Sequence, residues 1–333
     1  MTTYYRPIPQ SDPHRPVGAL TLAGGWLWFD GVEVLERGRA GVMIPAQDVP
    51  ADVRRRLTAP RADIAGLSMA APRIMGILNV TPDSFSDGGL FDDPVAALAH
   101  ARAMEQSGAE ILDIGGESTR PGAAEVQLDA EIARTAPVIA AIRAGSDVAI
   151  SIDTRKAGVA AAAIAAGASM VNDVAAFTHD PALAEVAARA GLPVCLMHAQ
   201  GDPETMQADP RYDDVLLDVY DFLADRVAVA EAAGIPRSQI IVDPGIGFGK
   251  TLQHNVTLMR GISLYHNLGC PILLGASRKR FIGTIGHAAE AQDRTSGSVA
   301  VALHGVAQGV QILRVHDIKD TRQALNLHMA LNG

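Results

Sequence analysis

Residues 74–80 read IMGILNV, apolar at every position but Gly76 and Asn79, and residues 81–89 continue as TPDSFSDGG. A short apolar run that breaks into a polar, glycine-rich loop reads as a buried strand with a loop at its C-terminal end. The same phrase recurs seven times. Apolar runs stand at 110–114, 148–152, 169–174, 193–197, 239–242, 271–274 and 310–315. Between them lie Ala-rich, helix-patterned stretches such as 94–107, 128–143, 155–166, 181–190, 213–233 and 293–308. Strands alternating with helices imply a parallel sheet under helical cover. Eight such units in about 250 residues is the size of a (β/α)8 barrel.

The polar residues at the strand ends separate a barrel from an open sheet. Asn79, Asp113, Asp153, Asn172, Met197 with His198, Asp243, Gly275 to Ser277, and Arg314 with His316 follow the eight runs in turn. An open sheet needs such residues only at its switch point, whereas a barrel gathers all its strand ends in one ring. The expected fold class is therefore α/β, a (β/α)8 TIM barrel over residues 71–333. Residues 1–70 differ. They carry both tryptophans (Trp26 and Trp28), a Gly24-Gly25 turn, an alternating run over 19–34, and a polar, Ala-rich link after Arg54, Arg55 and Arg56. A small β-rich extension without legible chemistry is expected there.

Composition narrows the function. The 333-residue chain is 48% hydrophobic but only 4% aromatic, with a net charge of −9. That is ample for a core of closely packed helices, and it lacks the basic face of a nucleic-acid binder. An anionic ligand must then meet a focused cluster of cations. No run approaches the roughly 18 apolar residues of a membrane span, and the Pro-rich start MTTYYRPIPQSDPHRP has no apolar signal core. A cytoplasmic location without membrane contact is the expectation. Cys195 and Cys270 sit in or beside apolar runs and read as core thiols.

Several strand-end segments carry chemistry. Loop 81–89 is long and places Phe85 among polar neighbours. Residues 113–123, DIGGESTRPGA, combine a diglycine with Thr119 and Arg120 as donors. Asp153, Asn172 and Asp243 offer acceptors and an amide to a ring such as a 2-amino-4-oxo pterin, although Asp153 before Thr154 also fits a helix N-cap. DPGIGFGK (243–250) fails both nucleotide fingerprints, since Pro244 and Lys250 fall where glycines are required. It remains a glycine-laced loop presenting Phe248, with Lys250 as anchor or surface charge. Arg314 and His316 project to one side of a strand, either toward an ion pair with Asp317 or Asp320, or with Lys279 toward a phosphate. The loops after strands seven and eight are the usual phosphate site of this barrel class.

Taken with PVCLMHAQGDPETMQ (193–207), GASRKRFIG (275–283) and RVHD (314–317), these segments resemble dihydropteroate synthase from about Ile74 to about Asp317. The resemblance implies a (β/α)8 enzyme of folate biosynthesis and sulfonamide target. It would condense 6-hydroxymethyl-7,8-dihydropterin pyrophosphate with p-aminobenzoate as a homodimer, using Mg2+. It further implies that Asp153, Asn172, Met197, Asp243, Lys279 and Arg314 hold the pterin. Phe85, Thr119, Arg120, Pro121, Phe248, Ser277 and Lys279 would surround p-aminobenzoate. Asn79, Arg120, Arg314 and His316 would hold pyrophosphate, with Asn79 at the metal. Lys279, Arg314, His316 and Asp243 would be catalytic. Ile246, a position often Phe in relatives, should alter packing only. A methyltetrahydrofolate–corrinoid methyltransferase has no use for the cation cluster, and a non-catalytic pterin-binding paralogue has no use for the two intact loops.

Overall fold

The computed structural model describes residues 2–80, 94–118, 125–201 and 206–332. An N-terminal unit comprises β1 (Tyr4–Pro7), β2 (Leu20–Thr21), β3 (Trp28–Phe29), β4 (Gly31–Leu35), β5 (Val42–Pro45) and α1 (Ala51–Thr58). Then β6 (Arg73–Asn79), β7 (Ile111–Gly115), β8 (Ala149–Asp153), β9 (Met170–Asp173), β10 (Val194–Met197), β11 (Ile240–Asp243), β12 (Leu273–Leu274) and β13 (Ile312–Val315) form one parallel sheet. Helices α2 (Pro94–Gln106), α3 (Leu128–Arg143), α4 (Ala157–Ala166), α5 (Ala182–Ala190), α6 (Val215–Ala232), α7 (Leu252–Gly261), α8 (Arg280–Ile285), α9 (Thr295–Ala307) and α10 (Ile318–Asn332) alternate with them.

The sheet runs β11-β10-β9-β8-β7-β6-β13-β12, so the first barrel strand pairs with the last. A single parallel bridge from Val242 to Ile272 joins the two ends, where the Val242 N–H donates to the Pro271 carbonyl at 3.0 Å. This closure removes both sheet edges. The strand read at 271–274 is thus reduced to two paired residues plus that bridge.

Side chains alternate along a strand, and this orders the interior. Met75, Ile111, Ala149, Met170, Cys195, Ile241, Leu273 and Ile312, one from each strand, form a buried apolar layer. Two residues further along the same strands stand Ile77, Asp113, Ser151, Asn172, Met197, Asp243, Gly275 and Arg314. The barrel is therefore apolar at its base and mostly polar at its C-terminal end. Burial pushes the Cys195 thiol up and that of Cys270 up to about 12, so both are inert core groups.

The N-terminal unit has its own core of Leu22, Leu27, Phe29, Val32, Val53 and Leu57. It is bonded to the barrel flank: Tyr4 donates to Asp221 on α6 at 2.9 Å, and the Trp26 indole donates to the Val306 carbonyl at 3.1 Å. The polar, Ala-rich stretch after α1 packs against the barrel. Arg61 is buried and donates to the His266 carbonyl at 2.9 Å. Ile64 and Met69 are fully buried within the apolar layer of the barrel. The eight-residue layer leaves an apolar base facing outward, and these two side chains cover it. Replacing Ile64 by Ala should cost about 2–4 kcal/mol through lost transfer energy and the cavity left behind. Urea denaturation should show a lower midpoint, and an unchanged midpoint would place Ile64 outside the core.

Candidate active site

Arg314 lies at the centre of the polar end. From β13 its Nε donates to Asp113 Oδ2 of β7 at 2.5 Å, and a terminal nitrogen donates to Asp153 Oδ2 of β8 at 2.7 Å. Asn172 of β9 donates its amide to Asp113 Oδ2 at 3.2 Å. Burial works against the Arg314 charge, yet Asp113 and Asp153 outweigh it and hold the guanidinium above its ordinary range. Burial raises Asp153 to about 7, opposed by Arg314 and reinforced by Asp113 and Glu131. One guanidinium cannot fully neutralise two carboxylates, so the second keeps its affinity for a proton.

Asp243 ends β11 and is raised by burial. Its Oδ1 accepts the Gly245 N–H at 2.7 Å. Gly245 has φ +66°, and a Cβ there would stand 1.8 Å from the His198 carbonyl oxygen, so only glycine fits this turn. Met197, buried beside Asp243 in register, lines the same wall. Lys279 reaches in from the loop before α8. Its ammonium donates to the Ile246 carbonyl and stands 4.0 Å from the centre of the Phe248 ring. Burial lowers Lys279 to about 7; Asp243 opposes this and Arg314 adds to it. Ile246 itself points into the core and is fully buried.

At the rim, Ser277 Oγ accepts the His316 N–H at 3.2 Å and lies 3.1 Å from its Nδ1. Asn79 closes β6, and its Oδ1 lies 3.5 Å from where a Cβ on Gly115 would stand, with Asp153 beside the same space at 3.6 Å. Arg314 turns to Asp113 and Asp153 instead of Asp317, which Arg278 holds, its Nε at 3.0 Å. Nor is Asp153 a helix cap. The first N–H of α4, on Ala157, is taken by Asp180 at 2.8 Å.

The barrel thus brings Asn79, Asp153, Asn172, Met197, Asp243, Phe248, Ser277, Lys279, Arg314 and His316 to one end. Phe85, Thr119, Arg120 and Pro121 lie outside the described residues. Asp113 was assigned no site role from sequence, although two steps of strand alternation from Ile111 place it in the ring. A second buried cluster was also missed. Glu117 bonds Arg155 at 2.9 Å and Lys156 at 3.0 Å, and Lys156 also bonds Glu131 at 2.7 Å. Burial would raise Glu117, but the Val126 N–H, Arg155 and Lys156 outweigh it and lower its pKa.

The arrangement offers clustered acceptors and an ammonium for a flat polar ring, and beside them cations for an anion. Residues 75–316 match the family described as pterin binding enzyme. The chain is 46% identical over 261 residues to the dihydropteroate synthase of Escherichia coli (strain K12), covering 78% of this chain and 92% of that protein. It is similar to the Xanthomonas albilineans dihydropteroate synthase with 4-aminobenzoic acid, at 45% identity and a TM-score of 0.77, covering 82% of this chain and 98% of that one. The same Xanthomonas enzyme in complex with 7,8-dihydropteroate superimposes with a TM-score of 0.74 at 42% identity and the same coverage.

The Lys279 environment has a thermodynamic signature. Between about 7 and the ordinary 10.5 the folded protein has released this proton while the unfolded chain retains it. Stability contributed through Lys279 must then rise with pH across that window. Urea midpoints from pH 7 to 10 should climb more steeply in the parent than in Lys279→Met. Parallel curves would show that the ammonium is not perturbed.

Proposed function

The chain belongs to the dihydropteroate synthases of the pterin binding enzyme family, and from that membership we propose how its own residues divide the work of joining a pterinylmethyl group to p-aminobenzoate. The substrate would be 6-hydroxymethyl-7,8-dihydropterin pyrophosphate. The carbon–oxygen bond to pyrophosphate breaks, a carbon–nitrogen bond to the arylamine forms, and the amine gives up a proton. The observation that carries the reading is Arg314, tethered by Asp113 and Asp153 at the junction of the carboxylate ring and the His316 rim.

Asp153, Asn172 and Asp243 would take the hydrogen-bonding edge of the pterin, whose adjacent N–H groups suit a carboxylate. Met197 would lie against its face. Lys279, resting on the Ile246 carbonyl and the Phe248 ring, would contact both pterin and p-aminobenzoate. Ser277, Phe248, Phe85, Thr119, Arg120 and Pro121 would complete the arylamine pocket. The arylamine is neutral and nucleophilic near pH 7, so no side chain need attack. The barrier lies in releasing pyrophosphate, and the electron-rich dihydropterin can share the positive charge that develops. Arg314, His316, Arg120 and Asn79 would stabilise the departing anion, and the protein's part is mainly electrostatic.

Magnesium fits as a companion of the substrate. Among the described residues there is no group of three His, Cys, Asp or Glu able to cage a cation. Asn79 offers a hard oxygen at the rim, and magnesium typically keeps several waters and binds through phosphates with few protein ligands. When bound it would neutralise pyrophosphate charge. No helix among the described residues is long and apolar enough to cross a membrane. A homodimer in the cytoplasm remains part of this proposal.

Pyrophosphate release that depends on p-aminobenzoate tests the activity. In that assay Arg314→Ala should lose about 2–4 kcal/mol of transition-state stabilisation, read as kcat/KM, and near-parental values would remove Arg314 from the anion site. Binding should also be ordered. Loops 81–89 and 115–123 are rich in glycine, and fixing such segments carries an entropic cost that a bound anion offsets. Calorimetry should detect p-aminobenzoate binding with pyrophosphate and Mg2+ present and little without them. Equal affinity in both conditions would mean that the pocket is preformed.

A further inference from the structure

Lys250 is buried, 3% exposed, at the end of the loop between β11 and α7. Its ammonium stands 2.9 Å from His198 Nδ1 and donates to the Phe248 carbonyl at 2.9 Å, with the His198 carbonyl at 3.4 Å. Among the described residues it is hydrogen-bonded to no carboxylate. His198 ends the neighbouring strand β10 and is fixed in turn, packed edge-on against Phe222 with centroids 4.8 Å apart. Burial and the Lys250 charge lower His198 to about 2, so the imidazole is neutral and Nδ1 can accept. Burial and the nearby Lys279 push the Lys250 amine well below its ordinary range and Asp243 only opposes this, so keeping the group inside is costly, and a well-packed apolar side chain could fill the space. Of the loop backbone, Lys250 serves the Phe248 carbonyl, while the other groups have partners of their own. The Gly245 N–H has Asp243, the Gly247 N–H has Asn255 Oδ1 at 2.7 Å, and the Gly249 carbonyl has the Tyr212 hydroxyl at 2.8 Å.

What Lys250 adds is a hold on Phe248. The Phe248 ring and the Ile246 carbonyl are the two groups against which Lys279 rests. We propose that Lys250 is a positioning residue for the arylamine half of the site: bonded to His198 and to the Phe248 carbonyl, it sets the Phe248 ring and, through it, the Lys279 ammonium. This rests on the reading above of Phe248 and Lys279 as contacts of p-aminobenzoate.

The test compares Lys250→Met, which keeps the unbranched stem and removes the terminal nitrogen, with Phe248→Leu as the benchmark for that reading. Steady-state kinetics would be measured with each substrate varied separately, beside a thermal melt. Lys250→Met should raise KM for p-aminobenzoate about tenfold, matching Phe248→Leu, and leave KM for the pterin pyrophosphate within about twofold. If Phe248→Leu raises KM for p-aminobenzoate and Lys250→Met does not, the positioning role is overturned while the reading of Phe248 stands. Equal rises in both KM values would make Lys250 a general strut and also overturn it. No effect in Phe248→Leu overturns the reading of Phe248 and the proposal with it. Should Lys250→Met fail to fold, His198→Leu removes the acceptor and should give the same split. His198→Asn, which supplies an oxygen in place of Nδ1, should restore KM for p-aminobenzoate; failure to restore it would count against the proposal.

Discussion

A single guanidinium shared by two carboxylates organises the upper half of the barrel. Asp113 and Asp153 come from adjacent strands and face the same interior, where their charges repel across a low-dielectric space. Arg314 reaches both from β13, which stands beyond β6 from β7 in the sheet order. The bond therefore ties the last strand to the second and third barrel strands across the interior. It also leaves the ring with more acceptors than donors, since Asp243 and Lys279 add one charge of each sign. That surplus matches a ring whose edge presents N–H groups.

Most of this was legible because a barrel strand has a two-residue period. Once eight strands are recognised, counting by two from an apolar residue gives Asp113, Asn172, Asp243 and Arg314, and four residues on gives Asn79, Asp153, Ser277 and His316. Asp113 stands among those strand ends but was given no ligand, because the diglycine and the donors of residues 117–120 beside it are the stronger local signal. Other parts lacked a signal of that strength. Helix α7 has a polar sequence, and its start is marked mainly by Thr251, which caps it by accepting the His254 N–H at 3.2 Å. Lys250 stayed open because a lysine beside glycines gives no sign of burial. Its partner His198 lies 52 positions away, and only the adjacency of β10 and β11 brings them together.

The N-terminal unit illustrates the other limit. Its tryptophans and alternating residues announced strands, but composition alone did not show that Ile64 and Met69 leave that unit to enter the barrel. Two apolar residues in a polar, alanine-rich stretch carry little weight until a cavity of the right character is found next to them. The cavity is produced by the first inward residue of all eight strands, which no local window of sequence contains.

That arrangement constrains the order in which the molecule can assemble. Ile64 and Met69 leave the ribosome before any barrel strand, while Ile312 must return to lie beside Arg73 before the ring can close. Such distant pairing carries a loop-closure cost that is met late. Until then each newly made strand has an apolar face with few partners, the condition under which partly folded chains aggregate. A segment already waiting at the base gives those faces something to collapse upon. A rearranged gene placing residues 61–69 after β13 would encode the same final contacts but deprive the growing chain of that early surface.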